Sequence, residues 1–297
     1  MFEAARMLYL YVESPLHAGA GRSLGGLDLP IQRERSTEYP LVHAGGLKGA
    51  LRAQLGLTAS ELTVVFGPET DRADDHAGAL APHDARLLLF PVRSLAGVFA
   101  WTTSVDILQR FRRALSWTGV TPPWTPPPGV KAREALVGEA SQILCDGKLV
   151  LEEFTFAPAA SQVVDDLAKW LGEEAFPLDD AYEYWQGQLP GKLCILPDDD
   201  LRLFTTLSTE VATRVHLDPA TKTVAQGPWT EEYLPVDTLL YSPLLATQAR
   251  DGSALAAAEV MNKVEKAVER QKRLQLGGDE TIGRGLVHLR LGQGGGV

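Results

Sequence analysis

What most constrains this chain is the likeness of its two ends: near each, strand-sized apolar runs are separated by one amphipathic helix. At the first end, Met7–Val12 is a strand candidate that closes at Ser14-Pro15. Gly45-Gly46 then leads into Leu47–Leu55, where Leu47, Leu51 and Leu55 fall four apart as on one face of a helix. Arg86–Val92 and Gly97–Thr102 follow as two strands, and Val105–Leu115 as a helix with Ser104 placed to cap it. At the other end, Leu239–Leu245 is an apolar run. Ala254–Leu274 is the longest helical pattern, with Leu255, Val260, Val264 and Val268 against a charged face. It is expected to stop at Gly277-Gly278, before a closing strand over Leu286–Leu291. Strand, helix and strand at both ends, with no internal repeat, predict an α+β fold with a ferredoxin-like βαββαβ core carrying large insertions.

The middle is irregular. Residues 67–85 are polar and acidic and read as a loop. Thr121–Gly129 holds five prolines in nine residues and reads as a stiff connection. Leu149–Phe156 reads as a strand and Ser161–Leu171 as a short helix. Phe204–His216 alternates and ends near Asp218-Pro219, with Thr221–Val224 as the returning arm of a projecting β-hairpin. The last residues, Gly292–Val297, read as a frayed tail.

Composition narrows the classes. No apolar run reaches membrane-spanning length, the N-terminus lacks a cleavage-site pattern, and Cys145 and Cys194 have no ligand-like spacing. These features predict a cytoplasmic protein without a zinc site. The net charge is −10, which by itself opposes binding to phosphate. The acid is concentrated, however. Residues 58–258 carry a net −13, while residues 1–57 and 259–297 carry +1 and +2. The acid sits in the middle, and the two ends are mildly basic.

Four stretches then stand out: Leu27–Glu34 with Gly46–Arg52; Phe90–Thr102; Gly277–Gly285; and Ser208–Val211 with Thr221–Val224 and Glu231–Pro235. Taken in order, they resemble the RAMP superfamily of CRISPR effector subunits, and within it the target-cleaving backbone subunit of the type III-B (Cmr) complex. The resemblance implies a single RAMP domain over 1–297. An RRM-like palm would lie in about 1–117 and 254–291, with insertions and a hairpin thumb in about 118–253. It implies copies stacked in a helical filament on a guide RNA, other Cmr subunits as partners, and target RNA cleaved with a divalent metal such as Mg²⁺.

Particular residues follow. Asp28 matches the family's catalytic aspartate. On spacing alone it reads as a turn or capping residue, and with the motif match as a catalyst that can ligate the metal or act as base. His17, in the Pro15–Gly21 loop, is an acid–base candidate or a residue bonding a loop carbonyl. Glu231 and Tyr233 match positions near the scissile bond or simply pack the hairpin base, and Thr230 interrupts an aromatic-rich stretch between them and Trp229. Lys48 and Arg52 share one helix face behind glycines that let phosphate approach. Gln32, Arg33, Arg93 and Ser94 are further guide-contact candidates, as is Gly283-Arg284-Gly285, where glycines permit approach and arginine binds phosphate. Three other readings remain open: a non-catalytic guide-binding filament subunit, a guide-processing RAMP endoribonuclease acting without metal, and an enzyme with no nucleic-acid substrate.

Overall fold

Residues 2–23 and 25–294 are described by the computed structural model. Leu24 and Gly295–Val297 of the expected tail lie outside them. The chain opens with β1 (Ala4–Val12), β2 (Leu41–Val42), α1 (Ala44–Gln54) and α2 (Ala59–Phe66). Next come β3 (Leu80–Pro82), β4 (Ala85–Arg93), β5 (Phe99–Ser104) and α3 (Val105–Trp117). The inserted middle contains β6 (Glu134–Val137), β7 (Leu144–Cys145), β8 (Lys148–Leu151), β9 (Phe154–Ala160), α4 (Gln162–Glu174), α5 (Glu183–Lys192), β10 (Leu193–Leu196) and α6 (Asp198–Leu207). The hairpin β11 (Glu210–Leu217) and β12 (Val224–Tyr233) precedes β13 (Leu239–Ala246), α7 (Ala257–Gln271), β14 (Arg273–Gln275) and β15 (Leu286–Leu291).

The most apolar runs become the central strands, because a strand covered on both faces gains from apolar side chains at every position. All of β13 is buried. It pairs antiparallel with β1 from Ala4↔Ala246 to Tyr11↔Leu239. The other edge of β1 takes β15, also antiparallel, so both ends of the chain meet at one strand. The main sheet runs β14-β15-β1-β13-β4-β5-β10-β6-β9-β8-β7, with β2 on β4 and β3 on β13. Parallel pairs occur at β5–β10 and β6–β9, each with at least one strand from the inserted part. The hairpin β11–β12 forms a sheet of its own.

The chain is a mixed α+β protein, as the periodicities predict. Ser104 caps α3 by accepting a hydrogen bond from the Ile107 amide, as expected. α7 packs on β1, β13 and β15, while α3 packs on β4, β5 and β13. Phe111 of α3 lies at the centre of an aromatic cluster, with ring centroids 4.8 Å from Tyr241, 5.9 Å from Trp170 and 6.1 Å from both Tyr9 and Trp124. Trp124 explains the proline-rich stretch. The prolines hold an irregular chain in which Trp124 is buried together with Pro122, Pro126 and Pro127.

Several expectations need correction. The helix predicted over Ala254–Leu274 ends at Gln271, well before Gly277-Gly278, because Lys272 adopts a left-handed φ of 54°. Leu274 then serves a strand. Leu149–Phe156 is two strands that turn at Glu152, which has a φ of 46°. Phe204 belongs to α6, whose first turn carries Asp198, Asp199 and Asp200, acids that suit a helix N-terminus. The hairpin therefore starts at Glu210, and its returning strand runs to Tyr233. Residues 67–85 include a short 3-10 turn and β3. The start of the expected frayed tail is fastened: the Gly292 amide donates to Met7 and the Gln293 amide to Glu174. Phe111→Ala is expected to cost about 3–5 kcal/mol, since it leaves a void among four rings. A lowered urea midpoint would show it.

Candidate nucleic-acid interface and cleavage site

The irregular segment after β1 folds back along the base of the hairpin. Leu16 and Leu234 exchange backbone hydrogen bonds of 3.0 and 2.9 Å. Leu29 donates to the Thr230 carbonyl and accepts from the Glu232 amide. Because β12 is extended, its side chains alternate. Trp229, Glu231 and Tyr233 share one side, and Thr230 and Glu232 the other.

Thr230, which breaks the aromatic stretch, is the partner of Asp28. Its amide (2.8 Å) and hydroxyl (2.9 Å) both donate to Oδ2 of Asp28, and the Asp28 amide donates back to the hydroxyl at 3.0 Å. These bonds hold the exposed Asp28 carboxyl below the usual carboxylate range. Asp28 lines a cavity of about 510 Å³ with Arg22, Ser23, Leu29, Gln226, Gly227 and Trp229.

Glu231 and Tyr233 lie deeper, at 6% and 0% exposure. Their surroundings contain residues that sequence reasoning assigned no role. Glu231 takes hydrogen bonds from Trp229 Nε1 at 2.8 Å and from the Tyr233 hydroxyl, and pairs with the Arg214 guanidinium. Burial raises the Glu231 carboxyl, but the Tyr233 and Trp229 bonds and the Arg214 charge outweigh it and hold the group below its ordinary value. Burial and the Glu231 bond push the Tyr233 phenol well up. The same hydroxyl oxygen lies 2.9 Å from Asp279 Oδ2, so its one hydrogen is shared between the two carboxylates, and the Arg284 guanidinium lies 4.9 Å from the Tyr233 ring centroid. Arg214 is one of two Lys/Arg residues on the hairpin, with Lys222, and no spacing singles it out. Asp279 stands inside the Gly277–Gly285 stretch, and its conjunction with Tyr233 requires the fold.

His17 packs beside Tyr233. Its Nδ1 lies 2.7 Å from the Glu232 carbonyl. A carbonyl can only accept, so Nδ1 carries a hydrogen, and in the neutral ring Nε2 holds the lone pair. The ring meets that of Tyr233 edge-on at 5.6 Å. Gly19 leaves room for Nε2, since a Cβ there would stand 2.7 Å from it.

The two glycine-rich segments converge on a groove of about 500 Å³ lined by Gly45, Gly46 and Gly49 of α1, by Gly277 and Gly278, and by Gly19. Gly45 and Gly46 are exposed in the first turn of α1, where His43 supplies no side-chain cap and the Ala44 amide donates to Asp84 Oδ1 at 2.8 Å. Open amides without a Cβ suit an approaching phosphate. Lys48 stands half-buried in this helix, and burial together with neighbouring Arg52 pushes its ammonium below the ordinary value. Gly283 and Gly285 both take left-handed conformations.

Other candidates are more occupied. Arg52 donates to the Gly67 carbonyl at 2.6 Å and pairs with Glu69 at 2.8 Å, closing the end of α2. Arg33 pairs with buried Glu232 at 2.5 Å and donates to the Glu38 carbonyl, so it braces the loop from inside. Gln32 bridges the Gly19 carbonyl and the His43 amide. Exposed Arg93 pairs with Glu152, and buried Ser94 donates to Val150. Among the described residues, no group of three or more His, Cys, Asp and Glu side chains is placed to hold a metal ion.

Comparison with known proteins agrees with this organisation. The RAMP superfamily matches residues 9–288, and the chain belongs to it. The chain is 38% identical to the CRISPR system Cmr endoribonuclease Cmr4 of Pyrococcus furiosus, over 97% of this chain and 95% of that protein. The crystal structure of oligomeric Cmr4 from Pyrococcus furiosus matches with a TM-score of 0.75 and 32% identity over 97% of each chain. A chain of the type III-B Cmr-beta complex bound to cognate target RNA shares the fold, with a TM-score of 0.73 and 21% identity over 98% of each chain.

Gly277 fixes the junction. It has a φ of 80°, and a Cβ there would lie 2.2 Å from the His17 carbonyl oxygen that accepts from the Gly278 amide. Gly277→Ala is expected to cost on the order of 1–3 kcal/mol through backbone strain. Thermal unfolding would report it, and Gly45→Ala, where a Cβ meets open space, should unfold nearly as the parent does.

Proposed function

We propose that this chain is a repeated backbone subunit of a type III-B RNA-guided complex, holding the guide RNA and cleaving complementary target RNA at regular intervals. The observation that carries this reading is the 38% identity to a Cmr endoribonuclease over nearly the whole chain. Neighbours described as oligomeric, and as bound to cognate target RNA, support copies of this chain, other Cmr subunits and RNA as partners. No helix among the described residues is long and apolar enough to cross a membrane.

Palm and thumb fit the topology. The order β15-β1-β13-β4, with α1 after β1 and α7 after β13, suits a ferredoxin-like, RRM-like palm. The separate hairpin β11–β12 would be the thumb. The guide backbone would cross the glycine groove, with Lys48 and Arg284 as the phosphate partners. Such contacts set register without reading sequence, leaving specificity to base pairing.

The target strand brings its own nucleophile, a 2′-hydroxyl, which must be aligned with the adjacent phosphorus and deprotonated. Asp28 faces the exposed side of the hairpin base. Thr230 lowers its basicity and occupies only Oδ2, so Asp28 suits metal ligation better than proton removal. A lone carboxylate gives one protein ligand, so Mg²⁺ or another divalent ion would be shared with RNA phosphates. When bound, the ion would stabilise phosphate charge as a Lewis acid. His17 Nε2, with Nδ1 held by the Glu232 carbonyl, would accept the proton. Glu231 and the protonated Tyr233 phenol would fix the shape of β12 beside the scissile phosphate.

Incubating the reconstituted complex with complementary RNA, with and without Mg²⁺, tests the reading. Regularly spaced products are expected, vanishing with Asp28→Asn while target binding persists; undiminished cleavage by that variant would refute the role of Asp28. Lys48→Ala should weaken guide binding and reduce the slope of log affinity against log salt by about 1. An unchanged slope would remove Lys48 from the guide contact.

A further inference from the structure

We infer that Arg214 is a positioning residue for target cleavage, tying the hairpin that carries Glu231 and Tyr233 to the glycine-rich segment at Asp279. The inference rests on the nuclease reading above and assigns a device within that site.

Arg214 lies on β11 opposite Trp229, and the strand register becomes irregular just beyond it. Its guanidinium reaches three groups on two separate parts of the chain. Nε pairs with Glu231 on β12. Nη2 donates to the Tyr233 hydroxyl at 2.6 Å and stands 3.6 Å from Asp279 Oδ2. The Tyr233 hydroxyl completes the link to the same Asp279 oxygen at 2.9 Å. Only a rigid fork of several donors serves three acceptors in this way; a lysine ammonium is a single point charge on a flexible stem.

The charges explain why the link matters. Glu231 and Asp279 are two carboxylates converging on one phenol. Arg214 sits at the hydroxyl end, and Arg284 covers the ring face. Without Arg214, a buried carboxylate loses its counter-charge and repels the other, so the hairpin base and the glycine segment separate. Asp279 is itself held in place by a left-handed φ of 64° and by the Arg284 amide, which donates to its carbonyl. The segment proposed to hold the guide thereby sets the position of the residues beside the target.

The test uses the guide-loaded complex, measuring single-turnover cleavage and target affinity in parallel. Asp28→Asn is the control for the nuclease reading. If the parent fails to cleave, or Asp28→Asn cleaves as fast, that reading falls and this inference with it. Given a parent that cleaves and an inert Asp28→Asn, Arg214→Gln is expected to slow cleavage about tenfold or more, the scale of one lost charge-assisted contact. Target affinity should stay within about twofold, because the contact acts on geometry and touches no RNA. Asp279→Gly preserves the left-handed backbone and removes the carboxylate. It should slow cleavage too, and the double variant should be no slower than the slower single variant, as for two residues acting through one link. Arg214→Lys should recover only part of the rate. Parent-like cleavage by Arg214→Gln, slowing matched by lost target affinity, or additive losses in the double variant would overturn the assignment. Should Arg214→Gln fail to assemble, parent-like cleavage by Asp279→Gly would overturn it equally.

Discussion

The antiparallel pairing of β1 with β13 on one edge and β15 on the other is the constraint on which the rest depends. It joins residues from opposite ends of the chain into one ladder. The loop leaving β1 carries His17 and Asp28, and the turn entering β15 carries Asp279 and Arg284. Pairing the strands therefore delivers those side chains to one region. The hairpin arrives from a third direction, fixed by the backbone bonds of Leu16 and Leu29 to β12.

Within that region, the same alternation that makes β12 a strand divides its work. Thr230 and Glu232 hold the loop: one restrains Asp28, the other takes Arg33 and the Ile31 amide. Glu231 and Tyr233 turn to the other side and meet Arg214 and the glycine-rich segment. Asp28 is exposed and minimally partnered, while Glu231 is buried and fully partnered. The first arrangement leaves a carboxylate oxygen for an outside ligand, and the second fixes geometry. The net charge of −10 does not oppose the proposed RNA contact there, because the glycine groove is lined by uncharged residues and exposes Gly45 and Gly46 of the first turn of α1.

Much of the scaffold could be read from sequence. β1, β4, β5, β13, β15 and the helices α1, α3 and α7 follow from apolar period, and Ser104 is a cap by its position before an apolar run. Misjudged boundaries have local causes. The end of α7 is set by a left-handed lysine, although glycine is the usual stop signal. The break at Glu152 gave no turn signal. The acids that begin α6 were readable but were overridden by the alternation that follows them.

For the site, sequence alone determined the residue types that matter: an aspartate in an irregular loop, glycines before a helix and before a closing strand, and a carboxylate two residues from a tyrosine. These depend on local conformation and spacing, which the chain carries in its order. Only tertiary structure decided which of them work together. Arg33 and Arg52 proved to be braces, Thr230 the partner of Asp28, and Arg214 with Asp279 the clamp on Tyr233. Those assignments rest on ion pairs and hydrogen bonds between residues far apart in the chain, whose strength depends on burial and orientation. Neither quantity exists until the two ends have folded onto one sheet.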